Sequence, residues 1–411
     1  MLSINRQITN KIYWFIAVFV LFFGSQGFQI GASVYIFQSL NNLWYITLYY
    51  ILIQVPMIFV FIFGPKIIKL FKSKNILIFS DSASIFILLI VLIIAFKTHD
   101  KALSYSLIVA SGLFSIVNSF RILAFKNIVY YLANQSKELP MFNITNALAI
   151  AISTFISPLF TLFLFTWPFF AVVIFNIITF AISLFFFILL KPNQHSLKLV
   201  EEHTQDKVAK IKYEKWIFAL SLGLFFSIFL FPKQTGILQF FNYIKYDYKK
   251  WSFLFSMIIG GSALLGTGVI LGYITAKKKV SRNRLFMGLT IVASLLNLIW
   301  IPILFAVKED KLALLITYII LNSFMQLSQS LLFPIGNNYL YLIFDKNEFN
   351  KQNAVTLIIR IIFYCLILVI FTWLDDSYGF EYMFILYAIL FFIILIAMVI
   401  SRYRIHKKIH H

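Results

Sequence analysis

The residues of this 411-residue chain that could do chemistry are polar side chains set inside long apolar runs. Gln26, Gln29 and Ser33 lie three and four apart, so they share one face of a helix. Ser111, Ser115 and Asn118 repeat the pattern, as do Asn322, Gln326 and Gln329. Lys233, Gln234 and Gln239 follow Pro232. A bare amide in hydrocarbon is costly, so these faces should point at water, at one another or at a ligand. Hydrogen bonding between helices is common in membrane bundles and accounts for any one residue taken alone. The recurrence of the stripe in every third run favours a shared cavity.

Charged groups inside the runs are few. Arg360 stands eight residues into its run, about 12 Å from the start at 1.5 Å per residue. It reads either as a contact to an anionic substrate or gating partner, or as an arginine that snorkels or bonds backbone carbonyls. Lys233, roughly 26 Å along its run, is expected near the outer mouth, snorkelling to the interface. Asp81 is the one acid clearly inside a run, with Lys66, Lys69 and Lys72 close in sequence, and a structural salt bridge is expected of it. No carboxylate occupies the middle of a run, which argues against proton coupling through a buried acid.

Catalytic patterns are missing. There is no HExxH, GxSxG or GxxxxGK[ST], and the histidines at 99, 195, 203, 406, 410 and 411 fall in expected loops or the tail. The single cysteine, Cys365, supplies neither a disulfide framework nor a thiolate metal site. The reading is a non-enzyme with no cofactor and no bound metal.

The elements that position these residues are apolar blocks. The chain is 61% hydrophobic and 12% charged, about half the usual charged share of a soluble protein, which marks an integral membrane protein. Twelve blocks reach the roughly 20 residues a membrane helix needs. They cover 12–38, 43–65, 75–96, 102–124, 142–166, 168–190, 216–243, 252–275, 285–307, 312–341, 352–374 and 379–402. Between the sixth and seventh, Lys191 to Lys215 is the only long stretch that is mostly polar. It divides the chain into a bundle at 1–190, a basic linker at 191–215, and a bundle with a short basic tail at 216–411. The first block follows Arg6 and Lys11 and lacks a small-residue cleavage site, so it is expected to remain as a helix. Gly24, Gly27 and Gly31, and later Ser262, Gly266, Gly268 and Gly272, give the small-residue spacings that let membrane helices approach closely.

Charge sets the orientation. The segments on the side of the termini and linker carry 26 of the 35 Lys and Arg residues, counting Arg121 at the end of the fourth block, and the alternate connections carry 8. The positive-inside rule then places both termini and the linker in the cytoplasm. The net charge of +20 is thus a topology signal, aided by the anionic inner leaflet, and nucleic acid is not an expected partner. Richness in Ile, Phe, Lys and Asn points to an AT-rich bacterial genome, hence a bacterial plasma membrane.

Six plus six helices, a basic cytoplasmic linker, and polar faces on helices one, four, seven and ten resemble the major facilitator superfamily. Within it the chain is similar to the macrolide-efflux branch of bacterial drug exporters. Phe63-Gly64-Pro65, a basic loop and then Asp81 resemble that branch's helix-two end and helix-three aspartate. Phe120 to Asn146 resembles its helix-four exit and the start of helix five, Ile156-Ser157-Pro158 its helix-five antiporter motif, and Gly336 to Gln352 its loop between helices ten and eleven. The chain departs from the family in its short second loop, KIIKLFKSKN, in the residues after Pro158, and in lacking near Phe114 the helix-four arginine of drug antiporters. The resemblance implies an all-α membrane protein of twelve transmembrane helices in two six-helix bundles, able to act as a monomer, with Gly64, Asp81 and Pro158 in gating or structural roles. It implies secondary active export of an amphipathic small molecule by alternating access, with the lipid bilayer and a coupling proton or cation as partners. Uptake of a nutrient or anion through Arg360, and a non-transporting sensor or immunity protein on the same scaffold, are the alternatives.

Overall fold

The computed structural model describes residues 2–98, 100–132, 139–164, 167–193, 212–245, 258, 260–262, 264–266, 268, 282–307, 309–344 and 346–410. The regular structure among them is helical throughout: α1 Leu2–Leu40, α2 Leu43–Leu70, α3 Ser73–Lys97, α4 Asp100–Leu132, α5 Leu139–Leu164, α6 Phe169–Leu189, α7 Lys212–Leu230, α8 Thr235–Ile244, α9 Arg282–Ala306, α10 Lys311–Ile343, α11 Lys346–Tyr378 and α12 Phe380–His410. In hydrocarbon each backbone N–H and C=O must find a partner within the protein, and an apolar helix satisfies all of them internally. Eight of the helices carry described stretches long and apolar enough to cross a membrane. They coincide with predicted blocks one to four, six, and ten to twelve.

Three expectations need correction. The seventh block is not one helix: α7 ends at Leu230, a short 3-10 turn covers Phe231–Lys233, and α8 starts at Thr235. Pro232 is the cause, since it donates no N–H and its ring excludes a continuous ladder. Part of the predicted second loop is helix, because α2 continues through Gly64 to Leu70. The fourth block ends later than its expected bound of 124, since α4 runs past Arg121 to Leu132. The linker at 194–211 and most of the eighth block lie outside the described residues.

The chain forms two compact units, one of Met1–Val200 with Lys249–Gly260 and one of Glu201–Tyr248 with Gly261–His411. In the first, α1 packs on α5 and α6, α2 on α4, and α3 on α4 and α6. In the second, α7 packs on α11 and α12, and α9 on α10 and α12. Gly266, of the eighth block, lies against Ser330 and Leu327 of α10. Counting blocks from one to six in each half, the partners correspond one for one, the signature of a structural repeat.

On two helices of the first unit the buried polar groups and the exposed apolar ones fall on opposite faces. On α6, Asn176, Thr179 and Ser183 are buried while Ile174, Ile178, Ile182, Phe185 and Ile188 are exposed. On α3, Ser80, Asp81 and Ser84 are buried while Phe79, Phe86, Ile90 and Ile93 are exposed. Intramembrane polar groups belong on the bundle's inner side, so the exposed stripes are the lipid faces. Aromatic rings fill the interiors. Trp14, Phe125 and Phe187 join α1, α4 and α6 at centroid separations of 5.1–6.1 Å. Phe240 of α8 stacks on Tyr318 of α10 at 3.8 Å.

Two glycines permit the tightest approaches. A Cβ on Gly24 would come within 1.9 Å of Thr179 Oγ1, and one on Gly223 within 2.4 Å of Thr356 Cγ2. The end of α6 is tied down: Lys74 Nζ donates to the carbonyls of Ile188 and Leu190 at 2.7 and 2.8 Å. Asn10 and the Lys191 backbone exchange hydrogen bonds of 3.0 and 3.1 Å. The first unit is thereby fastened where the chain enters the linker.

Candidate functional site

The most strongly bonded polar cluster sits where α3, α4 and α6 meet. Arg121 Nη2 is 2.9 Å and Nε 3.1 Å from Asp81 Oδ1; the carboxylate side chain is fully buried and the guanidinium 5% exposed. The same guanidinium donates to Ser84 Oγ at 2.9 Å and Asn118 Oδ1 at 3.3 Å. Its plane lies 5.1 Å from the Phe180 ring of α6. Ser183 stands beside the carboxylate. The helix periodicities explain the convergence: Asp81 and Ser84 are three apart on α3, Asn118 and Arg121 three apart on α4.

Asp81 therefore has the expected salt bridge, and its described partner is Arg121; the side chains of Lys66 and Lys69 lie outside the described residues. Lys72 precedes α3 and is exposed, nine residues or about 13 Å from Asp81 along the axis. Arginine from the adjacent helix reaches across instead.

The polar stripes separate into two kinds. Gln26 donates to Thr154 Oγ1 at 3.1 Å and accepts from Ser157 Oγ at 3.4 Å, linking α1 to α5. Ser111 and Ser115 donate to the carbonyls of Tyr49 and Ile53, linking α4 to α2. Ser33 and Asn322 bond carbonyls of their own helices. Gln326 Nε2 donates to Gln329 Oε1 at 3.0 Å, and both are buried on α10. Each of these bonds stays within one unit. Gln29 makes no hydrogen bond among the described residues, and Gln326 Oε1 is buried without one.

The broken seventh block organises the second cluster. Gln234 leaves the helix at φ −108° and ψ −100° and its Oε1 accepts the Tyr364 hydroxyl. Arg360 lies one turn before Tyr364 on α11, so both side chains face α7. Its guanidinium carbon is 5.0 Å from the Phe226 ring centroid, and its carbonyl accepts Ser227 Oγ at 3.1 Å. Because α11 starts at Lys346, Arg360 stands fourteen residues along it, about 21 Å by helical rise. The first of these residues, KNEFNK, are polar, so the added helix does not set Arg360 deeper in the apolar stretch than the roughly 12 Å given by the sequence spacing. The side chain of Lys233 lies outside the described residues. Pro158 is buried inside α5, and Gly64 lies within the span of α2.

Sequence reasoning missed Arg121, Ser84, Thr154 and Tyr364. The spacing of Arg121 from Ser115 and Asn118 was a signal for the first; Tyr364 carried none, because an interior tyrosine reads as core. Arg402 was taken for part of the solvated tail. It is 3% exposed, with Tyr339 and Phe286 rings 3.9 and 4.3 Å away. Among the described residues no group of three His, Cys, Asp or Glu side chains is placed to hold a metal ion.

No protein family and no curated protein is matched by the sequence. Solved structures are matched over nearly the whole chain. A POT family transporter in complex with a thioalcohol-conjugated peptide is 12% identical, covers 96% of each chain and superposes with a TM-score of 0.73. A D-xylose-proton symporter is 13% identical over 94% of this chain and 96% of its own, with a TM-score of 0.69. The nucleoside transporter NupG is 15% identical over 95% and 99%, with a TM-score of 0.64. At these identities the likeness shows the fold alone, one shared with these transporters, and the long apolar helices mark a multi-pass membrane protein.

Proposed function

We propose that this chain is a secondary transporter of a bacterial plasma membrane that exports an amphipathic small molecule by alternating access. It would span the membrane twelve times, in two bundles at 1–190 and 216–411 joined by the linker at 191–215, with both termini cytoplasmic. The observation that carries the reading is the fold's likeness, end to end, to a peptide-bound POT family transporter, a D-xylose-proton symporter and a nucleoside transporter. The polar groups set among aromatic rings support it, because such surroundings suit a ligand with a large apolar part and few hydrogen-bonding groups.

The recognition residues in this reading are Gln29, Asn322, Gln326, Gln329, Lys233, Gln234 and Arg360. Gln26, Ser33, Ser111, Ser115 and Asn118 shape the same faces while bonded to their neighbours. Export follows from the resemblance to macrolide-efflux proteins, and a proton or cation gradient would drive it, since no nucleotide-binding motif is present. Uptake of an anion is the rival with an observation behind it, namely that the Arg360 guanidinium has no acidic partner among the described residues. Purified protein in liposomes decides between transport and a non-transporting scaffold: probe flux above that of empty liposomes is expected, and its absence across macrolides, dyes and peptide antibiotics would overturn the reading.

A further inference from the structure

Two arginines lie well inside apolar helices with acceptors or rings at hand, and they are treated very differently. Arg121 makes four polar contacts, to Asp81, Ser84 and Asn118, and faces the Phe180 ring. Arg360 belongs to the apolar stretch Val355–Tyr378. Among the described residues its guanidinium meets the Phe226 ring and makes no hydrogen bond or ion pair. Its side chain remains partly accessible, whereas Arg121 is buried. An intramembrane arginine ordinarily finds an acid, a carbonyl or a water-filled passage. Its planar fork of donors matches a carboxylate or phosphate, and an aromatic face beside it leaves that fork free.

We infer that Arg360 is the recognition point for the anionic head of an amphiphile, its apolar part lying along Phe226. The inference rests on the transport reading for its biological sense, but it concerns which charge the ligand carries and holds for either direction of movement. It sharpens the ligand class from an amphipathic molecule to an amphipathic anion. The head has two possible sources, a carboxylate arriving from solution and a phospholipid of the bilayer, and the same chemistry serves both.

A matched series tests it: 4-phenylbutyrate, its neutral amide and the corresponding amine, bound to full-length protein in phosphatidylcholine nanodiscs. Wild type is expected to bind the carboxylate at least about tenfold tighter than the amide or the amine, a difference of about 1.4 kcal/mol. Arg360→Gln should abolish the preference and Arg360→Lys should keep most of it. In nanodiscs with added phosphatidylglycerol, weakened carboxylate binding in wild type alone would identify the lipid head as a competing occupant of the same site. Retention of phosphatidylglycerol by wild type and not by Arg360→Gln, without any carboxylate preference, would assign the site to lipid. Equal affinity for all three probes together with equal lipid retention in wild type and variant would overturn the inference. Binding is read without transport, so a failure of flux leaves this result standing, and the wild-type series needs no variant to fold.

Discussion

Replacing Arg121 by methionine removes the guanidinium and leaves the Asp81 carboxylate buried without its partner. At 2.9 Å and an effective dielectric constant of 20, the lost attraction is about 6 kcal/mol gross. Desolvation of both charges offsets part of this, and removal of one partner from a buried pair costs roughly 3–5 kcal/mol net. Ser84 and Asn118 lose a charged donor as well, but those bonds belong to the same network and do not add independently. For a cooperative unit of about 200 residues, 4 kcal/mol lowers Tm by roughly 8–16 °C. The assay is thermal unfolding of purified protein in nanodiscs for wild type, Arg121→Met, Asp81→Leu and the double variant. Each single variant should fall by that amount. The double variant should lie within about 1.5 kcal/mol of wild type, because the uncompensated charge is gone and the site is apolar. Arg121→Lys should be intermediate, keeping the charge but not the fork of donors. Additive effects, with the double variant the least stable of the four, would refute the ion pair as the bond between α3 and α4.

Gly24→Ala should destabilise by about 1–3 kcal/mol through overpacking, because its Cβ would collide with Thr179; Thr179→Gly in the same protein should restore most of the yield of folded material. Gln26→Ala should lower stability by about 1 kcal/mol per lost bond and leave probe affinity within twofold, whereas Gln29→Ala should do the reverse; paired unfolding and binding curves read both. Lys74→Met should weaken the anchoring of α6 by about 1 kcal/mol, seen as faster amide exchange at Ile188–Lys191 than in wild type.

Most of the helices were legible because the bilayer imposes one length and one composition on them, and hydropathy alone marks both. The ends were less so. The α2 extension to Leu70 and the α12 extension to His410 are polar enough to read as loop and tail, yet helix continues where water can solvate the side chains. The break at Pro232 was visible as a kink signal, but a lone proline does not tell a bend from the complete interruption seen between α7 and α8. The site was legible by residue type and not by partner. Gln26 stood out as polar in an apolar run, while Thr154 and Ser157, which hold it, are ordinary in a membrane helix. Asp81 stood out too, but its nearest lysines in sequence masked an arginine forty residues away that helix packing brings to 2.9 Å.

The measurement closest to the central claim is accumulation of amphipathic compounds in cells lacking their own pumps, with and without an uncoupler. Cells expressing the wild type should accumulate less of at least one macrolide, dye, peptide antibiotic or amphipathic carboxylate. The difference should vanish with uncoupler and with Arg360→Ala at equal membrane abundance. Unchanged accumulation of every compound at normal expression would contradict gradient-driven export.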